Sequence, residues 1–172
     1  IWAYAASYVA GDAINPISLL DQNDKTINVT DETQVLLFSR SMKGGDVIKD
    51  ALTPLSATQM PTGLVYVADI SGMPSLIAKF VAVPQMQDLP FAIGLDRDGE
   101  ISRLLPDNKD MATMILLKQR NILDIAYFDS SEALNQALAK LKKIFKYINF
   151  ACSVWSRLIS IIVCGVAPRA SC

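Results

Sequence analysis

Histidine is absent from all 172 residues, and cysteine occurs only at Cys152, Cys164 and Cys172. The first absence excludes serine and cysteine triads, histidine-ligated zinc and imidazole proton shuttles, because no other side chain titrates near neutrality without a large pKa shift. The second leaves everything before Cys152 without a thiol, so no redox or metal site of the C-x-x-C kind exists there. The cysteine spacings of 12 and 8 match no zinc or disulfide framework. In an oxidising compartment the three would form one bridge and leave one thiol; in a reducing one they are small apolar side chains. A Walker motif and G-x-G-x-x-G are missing as well.

Acids are the third absence. All 17 fall within residues 1–139, which carry 10 bases and a net charge of −7; residues 140–172 carry six bases, no acid and a net charge of +6. The near-neutral total therefore hides two electrostatic characters. The length suits one domain with an appendage, and 51% hydrophobic residues with a mean hydropathy of +0.29 supply a core and argue against wholesale disorder. We divide the chain into an N-terminal stretch 1–13, a domain 14–139 and a basic tail 140–172. The first stretch reads as disordered or as a signal-peptide remnant. Its Ala3-Tyr4-Ala5 has the small-x-small form of a signal-peptidase site, which predicts an exported, periplasmic protein. Asn28-Val29-Thr30 fits a glycosylation sequon.

Within the domain, Ile17–Leu20 and Thr26–Val29 flank a polar turn and predict a hairpin. The continuous apolar runs Val35–Phe38 and Leu64–Ala68 predict strands buried on both faces. Val47, Ile48, Ala51, Leu52 and Leu55 recur at helical spacing. Pro74 suits the first position of a second helix whose apolar face is Leu76, Ile77, Phe80 and Val81. Strand, helix, strand, helix with short connections is a parallel βαβ arrangement. Pro90–Leu95 is a short extended piece ending at the turn Asp96-Arg97-Asp98-Gly99. Thr113–Leu117 and Ile122–Phe128 predict an antiparallel hairpin, with Asn121 in a left-handed conformation. Asp129 and Glu132 then suggest a capping box at the start of a last helix.

This order, an α/β sandwich with a mixed sheet and a leading hairpin, resembles the thioredoxin-like fold over residues 14–138. Within it the likeness is to the exported branch related to peroxiredoxins and membrane-tethered thioredoxins. The resemblance brings Lys43-Gly44-Gly45-Asp46 onto the family's C-x-x-C, and Ala112, followed by Thr113, onto its cis-proline. Both positions depart from the family, and thiol–disulfide exchange needs a thiolate that lysine and aspartate cannot supply. From the residues alone, Asp46 reads as the N-cap of the helix and Gly44-Gly45 as the chain's way into it. The functional alternative is a ligand site at Lys43, Gly44, Gly45, Asp46, Ala112 and Thr113, where backbone donors bind an anion and Lys43 adds charge.

Other constellations are weaker. Asp96, Asp98 and Glu100, with Asp107 and Asp110, contain the D-x-D-G of a calcium loop but lack its remaining ligands, and read as a solvated turn. Ser39 and Ser41 have no histidine partner, and a Ser–Lys pair with Lys43 obeys no spacing rule. No catalytic residue, metal or cofactor is assigned.

In the tail, Leu134, Leu138, Leu141, Phe145, Ile148, Cys152, Trp155, Ile159 and Ile162 form a heptad-like seam, with Lys142, Lys143, Lys146 and Arg157 on the other side. Lys146 and Arg157 break up a membrane span. A basic amphipathic helix on an anionic membrane, a helix pairing with a second copy through residues 140–163, and a foreign stretch read in another frame stay open. The net-negative body argues against nucleic acid. The reading is a redox-inactive thioredoxin-like exported protein that binds an unknown protein or peptide. The alternative is a thiol oxidoreductase or peroxidase whose thiol comes from Cys152, Cys164 or Cys172.

Overall fold

The structure is a computed structural model that describes residues 7–55 and 59–144. Ala3-Tyr4-Ala5, the seam from Phe145 onward and all three cysteines lie outside the described residues. A seven-stranded mixed sheet has the order β2-β1-β5-β4-β3-β6-β7. Its strands are β1 (Ile17–Leu20), β2 (Thr26–Val29), β3 (Val35–Ser39), β4 (Leu64–Asp69), β5 (Gly94–Asp96), β6 (Ala112–Lys118) and β7 (Asn121–Phe128). β3, β4 and β5 are parallel, while β6 runs antiparallel to β3 and β1 antiparallel to β5.

Strand β3 is buried at all five positions because both faces are covered. On one face, Val35 and Leu37 share a core with Val47, Ile48, Ala51 and Leu52 of helix α1 (Met42–Leu52) and with Leu134 and Leu138 of helix α4 (131–144). On the other, Leu36 and Phe38 pack with Ile14, Leu105, Ile115 and Ile122. In β1 only Ile17 and Leu19 are buried, the alternation of a strand with one face inward.

The structure corrects several local expectations. Between β4 and β5 the chain forms α2 (Ser75–Ile77), a π turn (Ala78–Ala82) and α3 (Val83–Gln87). Pro74 is the N-cap, at φ −55° and ψ 132°, rather than the first helical residue. Leu76, Ile77, Phe80 and Val81 are exposed, by 70% at Leu76, and the side packed on the core carries Ala78, Val83 and Met86. Pro84 explains this: it has no N–H, and its ring would clash with the carbonyl of Phe80 in a regular helix. The π turn absorbs the clash and shifts the phase of the buried face.

In the β6–β7 turn, Gln119 (φ 50°) and Arg120 (φ 63°) take the left-handed conformation, as a two-residue hairpin loop requires. Asn121 is instead paired with Lys118, and its side-chain amide donates to the carbonyls of Lys118 and Gln119. Helix α4 is capped by the Ser130 hydroxyl, which accepts from Ala133 N–H at 3.4 Å, rather than by Asp129.

Residues 7–13, expected to be disordered, lie across the domain. Tyr8 N–H donates to the Leu104 carbonyl at 2.8 Å and Gly11 N–H to Ile122 at 2.9 Å, while Ile122 N–H donates back to Asp12. Leu104, between β5 and β6, and the edge of β7 at Ile122 supply the partners this backbone needs. At the other boundary α4 runs through residues 139 and 140 without a break. The first seam residues, Leu134 and Leu138, are buried in the chain's own core, so a second copy does not account for them.

Candidate functional site

The parallel strands β3 and β4 end beside each other, with Ser39 paired to Ala68, and α1 begins just beyond. Ser41 is its N-cap, in extended conformation, and its hydroxyl accepts from Gly44 N–H at 3.1 Å. The helix thus starts four residues before Asp46, and both glycines lie inside its first turns. Asp46 is exposed and pairs with Lys49 at 3.0 Å, one helical turn on. The cap is Ser41 because a short hydroxyl reaches back to a first-turn amide, whereas Asp46 lies beyond the free donors.

Gly44 is required by a close approach. A β-carbon there would collide with the carbonyl group of Met111, which immediately precedes β6. The start of α1 and the start of β6 are therefore pressed together, so Lys43–Asp46 and Ala112 share one place in the fold. Ala112 is buried and pairs with Phe128. No peptide bond among the described residues is cis. Thr113 does not join them. It lies opposite Phe38 in the next register position, and strand alternation turns it toward the other layer. Its hydroxyl is buried there with no hydrogen-bond partner among the described residues. Lys43 is exposed at the mouth of the helix.

Beneath α1 lies a polar pair that sequence reasoning missed. The hydroxyls of Ser39 and Tyr66 are 2.8 Å apart and buried. Burial pushes the Tyr66 phenol up to about 12; the bond from Ser39 opposes this and the charge of Asp46 adds to it. Ser39 is thus engaged with Tyr66, Ser41 with Gly44, and neither forms the Ser–Lys pair considered above. A tyrosine inside the apolar run Leu64–Ala68 was the available signal, since a buried phenol needs a polar partner.

Arg40 was also missed. Its guanidinium lies 5.4 Å from the centre of the Phe38 ring, pairs with Asp69 at 3.1 Å and Asp107 at 3.7 Å, and donates to the Ser102 carbonyl at 2.9 Å. Asp69 also accepts from the Ser71 hydroxyl and amide. Burial raises its carboxyl, but the bonds from Ser71 and Arg40 outweigh this and hold it below the ordinary value of 3.8. The loop from β5 to β6 is anchored a second time by Asp96. That carboxylate is buried, not solvated as expected, and accepts from Gly99 N–H at 3.0 Å and Ser102 N–H at 2.7 Å. Its role is to hold the turn.

With this geometry in hand, solved structures give a direct comparison. Peroxidoxin BcpB from Mycobacterium tuberculosis superposes with a TM-score of 0.53 at 14% identity, over 78% of this chain and 97% of that one. A protein from Bacteroides thetaiotaomicron assigned as a protein disulfide isomerase gives 0.54 at 10%, over 80% and 91%. The fold is thioredoxin-like. A protein from Chlorobium tepidum assigned as the thiol:disulfide interchange protein DsbE agrees, with 0.50 at 22% identity over 76% and 95%. No protein-family model matches the sequence, and no curated protein matches it. Identities this low concern the thioredoxin-like fold alone. Among the described residues no helix is long and apolar enough to cross a membrane.

Proposed function

We propose that this chain is an exported thioredoxin-like binding module that does no thiol chemistry at the start of α1. The observation that carries the reading is the make-up of that position. By the resemblance drawn from segment order, Lys43, Gly44, Gly45 and Asp46 fall at the position of the fold's dithiol, and Gly44 packs against the Met111 carbonyl. Exchange chemistry needs a thiolate, and no residue before Cys152 supplies one. What the site offers is recognition. The first-turn amides of Met42 and Lys43 lie ahead of any intrahelical bond, and the Lys43 side chain stands exposed beside them. The names of the structural neighbours favour the second reading, a thiol oxidoreductase or peroxidase, which here must draw on Cys152, Cys164 or Cys172.

Titration with inorganic phosphate and with a short extended peptide, read by the backbone amide resonances, tests the site. The binding reading expects shifts at residues 42–46 and 111–112; no shift there at millimolar concentration counts against it. N-terminal sequencing from the native host tests export, with a mature end after Ala5 expected. Residues 140–163 are proposed to contact a membrane surface or a second copy. Light scattering on the full chain, with and without anionic vesicles, separates the two.

A further inference from the structure

Eleven large apolar side chains are exposed among the described residues, and four of them, Leu76, Ile77, Phe80 and Val81, fall within six consecutive positions. With Pro84, also exposed, they recur at helical spacing along α2, the π turn and α3, opposite the Ala78, Val83 and Met86 that pack on the core. Apolar residues exposed singly are ordinary, whereas a contiguous group marks a contact surface. The exposed borders Ser75, Gln85 and Gln87 are uncharged, residues 70–87 contain no acid, and Lys79 is their one charged residue. The outward side of a helix is convex, so it offers an extended peptide no groove.

Alpha helix α4 lies in the same layer. It and the α2–α3 segment both pack on the sheet face that carries Val35, Leu37, Tyr66 and Leu95. Glu132 of α4 stands against Lys140, Lys142 and Lys143, while in α1, the third member of the layer, Lys43 and Lys49 balance Asp46 and Asp50. The helical layer is therefore net positive although residues 1–139 carry −7, and it leads into the stretch 140–172 with six bases and no acid. We propose that this layer docks on an anionic lipid surface. The exposed side of α2–α3 enters the headgroup region, and Lys140, Lys143 and the basic stretch after them meet the lipid phosphates. Stable attachment takes two signals, and an apolar face with a polybasic segment is such a pair. Residues 75–87 as a helix measure about 20 Å, short of the roughly 30 Å hydrocarbon core, so the segment lies on the membrane and does not cross it. The proposal shares the membrane reading of residues 140–163 and adds the apolar half of the contact.

The test is co-sedimentation of the full chain with vesicles of phosphatidylcholine alone and of phosphatidylcholine with phosphatidylglycerol, at about 0.1 M and about 0.5 M salt. The native chain is expected to prefer the anionic vesicles. Leu76 and Val81 are exposed, so the double variant Leu76→Asp, Val81→Asp leaves the core intact and should bind roughly tenfold or more weakly at either salt. Should that variant fail to fold, hydrogen exchange of the native chain decides, with slower exchange at residues 75–87 expected when anionic vesicles are added. Equal binding by variant and native chain, or unchanged exchange at 75–87, would overturn the proposal. Binding that salt abolishes equally in both proteins would also overturn it while leaving a purely electrostatic contact through residues 140–163. No binding by the native chain would end both readings. A lipid-free dimer that the double variant converts to monomer would assign the apolar side to a second copy and overturn the proposal.

Discussion

The carbonyl oxygen of Met111 fills the space that a β-carbon on Gly44 would need. Gly45, one residue on, is different, since a β-carbon there would make ordinary contacts with the Tyr66 and Ser39 hydroxyls at 3.5 and 3.6 Å. Two adjacent helical glycines thus respond oppositely to the same change. Gly44→Ala must move backbone and should cost about 1–3 kcal/mol, more than the gain of about 1 kcal/mol in helix propensity. Gly45→Ala should keep that gain. Urea denaturation of both variants checks this, with midpoints moving in opposite directions.

The two candidate caps of α1 separate in the same kind of experiment. Ser41→Ala removes the acceptor for Gly44 N–H and should lower stability by about 1 kcal/mol. Asp46→Ala removes only an exposed pair with Lys49, and its effect should stay within about 0.5 kcal/mol.

Tyr66 gives the fold a dependence on high pH. Its phenol ionises near the ordinary value of 10.0 in the unfolded chain and near 12 in the folded one. Between these values the unfolded state has lost a proton that the folded state retains. The contribution is therefore fully present below pH 10 and declines as pH rises toward 12, by about 1.4 kcal/mol per pH unit. Tyr66→Phe should abolish this slope. It should also cost about 1–3 kcal/mol at neutral pH by leaving the Ser39 hydroxyl buried and unpaired, and Ser39→Ala in the same chain should restore part of that loss. Chemical denaturation across the alkaline range measures both effects.

Arg40 ties the end of β3 to Asp69, Asp107 and the Ser102 carbonyl. Arg40→Ala should free the loop between β5 and β6, seen as faster hydrogen exchange at residues 102–111. The Asp69 carboxyl is held below 3.8 in the folded state, so its contribution is present above that value and is lost as pH falls through the folded-state pKa. Acid denaturation of the Arg40 variant should consequently begin at higher pH than that of the parent chain.

The strands were legible in the sequence because Val35–Phe38 and Leu64–Ala68 are unbroken apolar runs, and the hairpins because polar turns separate short alternating segments. What escaped was decided by single contacts across the chain. Nothing near Gly44 announces that Met111 will press on it. The buried face of 75–87 is misread because Pro84 inserts a π turn and shifts the period. The caps of α1 and α4 are both serines that accept from a backbone amide, whereas the neighbouring acids, Asp46 and Asp129, looked the stronger candidates. Lys43–Asp46 and Ala112 could be brought together by aligning segment order, but Thr113 was carried along with Ala112 although alternate strand residues face opposite layers. Tyr66 and Arg40 went unnoticed because their hydrogen-bond and ion-pair partners lie 27 or more residues away.

The central claim is that the start of α1 performs no thiol chemistry and that this chain works by binding. Insulin reduction and peroxide consumption by the full chain, beside a variant with Cys152, Cys164 and Cys172 all replaced by serine, test it most directly. The account predicts that neither protein exceeds the uncatalysed background. Turnover by the native chain that disappears when one of those cysteines is replaced would contradict it.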